Sequence, residues 1–469
     1  MLSKLPRDIL LQDILILLDS KSLINLSLAS TYFNYLVNND QHIWKRLCFQ
    51  EFNISQDNAF RNKGWKQLYI ALLTDTKVFT WGENSDDRLG LTPTVTPNAF
   101  QFNIRTPRHF IKTVRDRNPR RRYSRTVTTP QEVAYLQDKG IIDIASGGWS
   151  FHALDSSGSV WMWGTMHQEI SPRSSAGTRR LTTPTKIQDT NNTQPRIKFR
   201  SISCGRTHVI GLARDGSVWH WTNHLMLQAV HLHLEPNETI VQVVANWSYS
   251  TVLTNEGAIY VIPLPDLIIP SQVTVEPTPT SIVTPKVPMD IVQIAGLDGY
   301  TLALTKDGRV LKLDTRNHIE FSSNPEHYTI ELVLFSAKKP EANYRDGSMS
   351  RFITGAFRNF AVYTKSGQVM LGKVEAGADT EPIVLPELQN RDVCKVSFGD
   401  YHFGALTNQG ELLTWGANSS GALGHGSDDQ YDEPEPKLVE SMKDMFTFAI
   451  GFGGWQSSVL AIPTYNDHA

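Results

Sequence analysis

The chain has 469 residues, with 45 Lys and Arg against 47 Asp and Glu, a formal charge of −2. That balance excludes a general polyanion binder, and a 40% hydrophobic fraction with 31 Gly and 24 Pro excludes a collagen, a wholly disordered chain and a multi-span membrane protein. Three cysteines, Cys48, Cys204 and Cys394, cannot build a disulfide framework or a four-thiolate zinc site.

From Pro6 to about Tyr69 the pattern is helical. Pro6 suits a first helical turn and Asp8 complements the positive end of the helix dipole. Further starts fall at Ser20 or Ser22 and near Asp40, each an N-cap before an apolar run. Eight of the ten residues from Ile9 to Leu18 are aliphatic, which predicts one helix buried on more than one side. Gln12 and Asp13 interrupt that run, so it reads neither as a signal peptide nor as a membrane span, and the cytosol or nucleus is the expected compartment. A few short helices offer little core. Their surplus apolar surface either caps the rest of the chain or meets a partner.

From Lys77 onward, short runs of Val, Ile, Trp and Thr alternate with Gly, Asp and Ser turns, the signature of all-β structure. The segment IIDIASGGWSFHALDSSGSVWMWG, ending at Gly164, recurs in divergent form ending at Trp221, Ile262, Leu313, Gly372 and Gly416. Two-residue turns at Asp215-Gly216, Glu256-Gly257 and Asp307-Gly308 lead into the third strand of their units. After Gly416 one more copy begins, FTFAIGFGGWQSSVLAI, without a third strand. That strand stands at the other end as KVFTWG, Lys77 to Gly82, and its continuation WGENSDDRLG matches WGANSSGALG from Trp415 to Gly424. Six intact units and one divided between the ends predict a closed seven-bladed β-propeller over residues 77–462, behind a small all-α domain at 1–70.

The Gly-x-x-His, Asp-Gly-x-Val and Trp-Gly steps of these units resemble the regulator-of-chromosome-condensation repeat family, which forms seven-bladed propellers. The blades ending at Ile262, Leu313 and Gly372 lack the Trp-Gly step. Tyr249, Tyr300 and Asn359 stand there in the places the alignment gives to His152, His208 and His402. The N-terminal segment LPRDILLQDILILLDSKSLINLSLASTYFNYLVNNDQHIWKRL resembles an F-box, with Ala29 and Phe33 as apolar departures from its commoner residues. The resemblance implies docking on a Skp-type adaptor, and through it on cullin and RING subunits. It assigns adaptor contacts to Leu5, Pro6, Ile9, Leu10, Ile14, Leu15, Leu18, Leu26, Leu28 and Trp44.

Catalytic and metal signatures are missing from the sequence: it has neither a phosphate-cradling Gly loop nor a Gly-x-Ser-x-Gly elbow. No catalytic residue, metal or cofactor is expected, and His152, His208 and His402 read as structural parts of the repeat. An insertion over 83–130 concentrates positive charge, and Arg115, Arg117, Arg120, Arg121, Arg122 and Arg125 are candidates for gripping an acidic or phosphorylated target. The alternative is a surface loop or a localisation signal. A second, Pro-rich insertion over 263–290 reads as a linker or a strip for a partner. The expected function is substrate recognition in a Skp–cullin–F-box ubiquitin ligase, with no membrane or nucleic-acid partner. The alternative is a guanine-nucleotide exchange factor or a chromatin-binding propeller.

Overall fold

The structure, a computed structural model, describes residues 5–52, 54, 59–74, 76–91, 125–166, 181–187, 197–223, 227–264, 280–281, 287–288, 290–336 and 350–464. The N-terminal helices are α1 (Arg7–Ile9), α2 (Ser20–Ala29), α3 (Thr31–Asn39), α4 (Gln41–Phe52) and α5 (Trp65–Leu73). Asp19 caps α2 by accepting from the Ser22 amide at 2.7 Å, and the Asp40 carboxylate accepts from Ile43 at the start of α4.

The single helix expected over 9–18 does not form. The chain runs instead from α1 into a π turn over Leu10–Ile14 and a 3-10 turn over Leu15–Leu17. Leu10 and Leu15 are both fully buried. In an α-helix, residues five apart point about 140° away from each other. Wider winding brings both leucines to one core, at the cost of helical regularity.

Seven sheets follow, arranged as the blades of a propeller and antiparallel except where Val230 and His231 pair in parallel with Thr280 and Ser281. Blade one, for example, orders Ile141–Ser146, Ser150–Asp155, Val160–Gly164 and Leu181–Lys186 outward from the axis. Blade seven is composite. Lys77–Glu83 lies between Thr126–Glu132 and the C-terminal strand Gln456–Pro463, pairing Lys77 with Ala461 and Gly82 with Gln456. Blade five departs from the four-stranded plan: its fourth position is a single bridge between Leu371 and Ile383.

The matched WGxNS…LG segments build the same loop twice. Thr80 and Thr414 each donate a hydroxyl to the carbonyl of Leu89 and Leu423 at 2.8 Å, and Asn84 and Asn418 accept from the amides of those leucines. Each loop then crosses onto a tryptophan of the adjoining blade. A Cβ on Gly424 would stand 2.9 Å from Trp81 Nε1, and one on Gly90 2.7 Å from Trp163 Cδ1. Both glycines also have positive φ, so only glycine fits.

The helices are seated on the propeller rather than tethered to it. Leu10, Trp44, Leu68 and Leu72 share one hydrophobic core with Val78, Ile142, Phe446 and Phe448 of blades seven and one. On the blade-six side, the Phe60 amide donates to the Cys394 carbonyl at 2.7 Å and its ring stacks on Phe352. Asn408, in the turn between the second and third strands of blade six, donates to Asn62. These contacts put the helices on the face that carries those turns. The loops joining first and second strands, and those leaving third strands, occupy the opposite face.

The repeat histidines fall into a different register from the one expected. Ser150 pairs with Gly164 as His402 pairs with Gly416, and Tyr249, Tyr300 and Asn359 take the same place opposite Pro263, Asp314 and Lys373. His208 shares this position, whereas His152 pairs with Met162, two residues further along. Strand register is fixed by the tight turn that ends the second strand, so the nearest histidine in a spacing match is not the structural equivalent.

Candidate functional site

Two surfaces have the geometry of binding sites, one on each side of the molecule. On the helical side an open groove of about 380 Å³ is lined by Leu10, Ile14, Leu15, Leu18, Leu26 and Phe33, with Ser22 and Asn25 at its edge. Around it Leu5, Ile9, Leu17 and Leu28 are exposed, Ile9 at 42% and Leu28 at 78%. Exposed apolar side chains this closely grouped on a small helical unit mark an interaction surface.

The expected adaptor residues thus divide. Leu5, Pro6, Ile9 and Leu28 face solvent; Ile14, Leu18 and Leu26 are half-buried along the groove. Leu10, Leu15 and Trp44 are buried among the chain's own helices, and the Trp44 indole N–H donates to the Val37 carbonyl at 2.7 Å. In the free chain these three hold the helices together.

On the opposite face the propeller axis opens as a channel of about 220 Å³ walled by the first strand of every blade. Those strands are stitched side by side through side chains. Gln242 accepts from Ile294 N–H and donates to its carbonyl, and Gln293 does the same to Ile353. At the mouth, the position held by Gly148 in blade one becomes Arg206, Trp247, Phe357, Asp400 and Gly454 in blades two, three, five, six and seven.

Four of these make a layered cluster with Trp149. The Arg206 guanidinium carbon lies 4.2 Å from the ring centres of both Trp149 and Trp247, and Phe357 stacks on Trp247 with centres 3.9 Å apart. Cation–π contacts of a partly exposed guanidinium are worth about 1 kcal/mol each. Phe357 holds φ +51°, a left-handed conformation rare for an aromatic residue, while its carbonyl accepts from Asp298 at 2.6 Å. Asp400 reaches Arg206 from blade six at 3.3 Å. Burial raises the Asp400 carboxyl above its usual range, and Arg206 offsets part of that.

The repeat histidines tie blades together. His208 Nε2 lies 3.0 Å from the Tyr249 carbonyl of the next blade, and His402 Nε2 lies 2.9 Å from Ser457 Oγ. Burial lowers both to about 4, and His152 to about 3. Cys204 and His152 form a close thiol–imidazole pair at 3.4 Å, but burial pushes the thiol up and the imidazole down. Both partners are therefore neutral, the reverse of an activated thiolate.

Arg115, Arg117, Arg120, Arg121 and Arg122 lie outside the described residues, as does most of the Pro-rich insertion. Arg125 is exposed, and its carbonyl accepts from the Asn84 amide. Trp149, Arg206, Trp247, Phe357 and Asp400 were not singled out by sequence reasoning. For Arg206, Trp247, Phe357 and Asp400 the signal was a position next to the repeat's bend that reads Gly148, Arg206, Trp247, Asp298, Phe357, Asp400 and Gly454 in turn, variable where the rest of the unit repeats.

Comparison with known proteins gives these surfaces a family context. Residues 2–50 match the F-box-like family model, and residues 393–422 and 409–460 match models of the regulator of chromosome condensation (RCC1) repeat. F-box protein pof9 of Schizosaccharomyces pombe is 22% identical over 98% of this chain and 90% of its own length. Protein pim1 of the same yeast is 24% identical over 85% of this chain, which spans 66% of that relative. The crystal structure of Prp20p from Saccharomyces cerevisiae superposes with a TM-score of 0.58 at 17% identity, covering 92% of this chain and 96% of Prp20p. Among the described residues, no helix is long and apolar enough to cross a membrane. The chain unites an F-box-like helical segment with a seven-bladed propeller in which residues 393–460 match regulator-of-chromosome-condensation repeats.

Proposed function

We propose that this chain is the substrate-recognition subunit of a Skp–cullin–F-box ubiquitin ligase, working in the cytoplasm or nucleus. The observation that carries it is the open apolar groove along Leu10–Phe33, on a helical unit that shares one hydrophobic core with the propeller. A Skp-type adaptor fills that groove and brings the cullin and RING subunits. The propeller face on the far side of the molecule is left for the target protein. Ubiquitin transfer takes place on a partner's thioester, and this chain contributes proximity by raising the effective concentration of target lysines.

Co-expression with a Skp-type adaptor tests this reading. A one-to-one complex by size exclusion is expected. It is lost in Ile9→Asp with Leu28→Asp, two exposed positions whose change leaves the fold intact. A folded wild-type chain that forms no complex would sink the mechanism.

The likeness to Prp20p, whose structure is described with its binding to Gsp1p and histones, supports a second reading as an exchange factor or chromatin binder. Accelerated nucleotide release from a small GTPase by a chain that ignores the adaptor would favour it.

A further inference from the structure

The strands that wall the axial channel use their polar side chains on one another. Beyond the Gln242 and Gln293 stitches, Ser203 Oγ accepts from the Ala245 amide at 2.9 Å and Ser397 Oγ from the Phe452 amide at 3.2 Å. The mouth is different. There the Arg206 backbone is tied to both neighbouring blades, its carbonyl accepting from Gly148 at 3.0 Å and its amide donating to the Trp247 carbonyl at 3.3 Å. Its guanidinium crosses toward blade six with both faces covered by the indoles of Trp149 and Trp247.

A guanidinium covered on both faces can be reached only at its edge, and its side chain has little rotamer freedom left to lose on binding. Asp400 holds one corner of that edge, through a single Nη1 contact at 3.3 Å. Among the described residues no other acceptor reaches the side chain, and 21% of it stays exposed. An arginine fork takes a carboxylate through two parallel N–H groups, so most of its capacity is unused. Beside it Trp247 and Phe357 are half-buried and present an aromatic edge to solvent, with Phe357 held there in its left-handed conformation. Strain of that kind concentrates at ligand clamps and active sites.

Building on the receptor reading above, we infer that the channel mouth docks the target protein through a glutamate or aspartate side chain, which takes the open edge of Arg206 beside Asp400. The apolar residues flanking that acid lie on the Trp247–Phe357 edge. The two indoles hold the guanidinium in place whether or not Asp400 is charged. Asp400 repels the incoming carboxylate and so sets how tightly it is held.

The test uses the full chain and a fluorescein-labelled peptide of alternating glutamate, glycine and tyrosine, amidated at its end. Its counterparts carry glutamine, phosphoserine, or glutamine with a free terminal carboxylate. The glutamate peptide should bind, more weakly as salt rises. Arg206→Lys keeps a charge between the indoles and loses the fork, and should weaken binding about tenfold. Asp400→Asn removes the like charge and should tighten it several-fold, which a purely structural ion pair would not do. Phe357→Gly suits the positive φ, removes the ring and should weaken binding several-fold. Melting temperatures confirm that each variant is folded. Equal binding by Arg206→Lys would overturn the inference, since the arginines between 105 and 125 would then hold the peptide. Equal tightening by Asp400→Asn and by Asp298→Asn, the blade-four acid of the same ring, would overturn it too, because overall charge would then set the affinity. So would stronger binding of the phosphoserine peptide or of the glutamine peptide with the free end. Adaptor binding is followed in the same variants and stays unchanged. Its absence from the wild type would overturn the receptor reading and leave the peptide result standing.

Discussion

Arg206 and Asp400 meet across the channel mouth, Nη1 to Oδ2 at 3.3 Å, although their blades stand three places apart around the ring. The pair fixes the distance between opposite sides of the mouth, and the Trp149–Arg206–Trp247–Phe357 stack spans the gap between them. Side chains of this type, rigid and partly desolvated, dominate protein interfaces.

Stability should fall as the solution is acidified below neutrality. His208 and His402 are held near 4 by burial against an ordinary 6.5, so the unfolded chain binds protons that the folded chain refuses. Their contribution is complete above pH 6.5 and is lost between pH 6.5 and 4, with a slope of roughly 1.4 kcal/mol per pH unit for each histidine. Melting temperature measured across that window should show the slope, and His402→Gln should flatten it.

Phe60→Ala should loosen the seat of the helices. It removes a ring stacked on Phe352 and close to Tyr363 while leaving the Cys394 backbone bond available. A cost of about 2 kcal/mol is expected for a half-buried aromatic. Hydrogen exchange should quicken over α5 while blades two to four stay protected.

Two glycines with similar φ should respond differently to a methyl group. Gly216→Ala has φ +87° but open space, so the cost is conformational, about 1 kcal/mol. Gly424→Ala adds a collision with the Trp81 indole at 2.9 Å and should cost about 1–3 kcal/mol more. Denaturant midpoints and near-ultraviolet dichroism of the tryptophans would read the difference.

Native cysteines should resist alkylation. Burial pushes Cys48 up to about 12 and raises Cys204 and Cys394, leaving almost no thiolate at neutral pH. Iodoacetamide labelling of Cys48 and Cys394 should proceed only as fast as local opening, while Cys204, half-buried on the channel wall, is slowed by its raised thiol alone. Rapid labelling of the folded chain would contradict this.

The ring and its closure were legible because they depend on residues that recur. Thr80 with Leu89, and Thr414 with Leu423, build one loop from one motif at two ends of the chain. The helical start at Asp40 was legible from its capping chemistry, whereas the cap expected at Ser20 or Ser22 is supplied by Asp19, one residue earlier than the serines. The burial of Leu10, Leu15 and Trp44 was not, since an apolar residue looks alike whether it faces a partner or its own core. His152 was misplaced because spacing within a motif does not report strand register. The mouth cluster was hidden for the opposite reason. A search for repeats rewards sameness, and Arg206, Trp247, Phe357 and Asp400 occupy the position where the blades disagree.

The seating of the helices on Phe446 and Phe448 also sets an order of events during synthesis. The helical segment leaves the ribosome well before the strands that complete its floor. Until residues 445–463 arrive, Lys77–Glu83 has no inner neighbour and the helices lack the part of their floor that Phe446 and Phe448 supply. A chain that stops before residue 445 therefore carries the helices on an incomplete platform and a ring that cannot close.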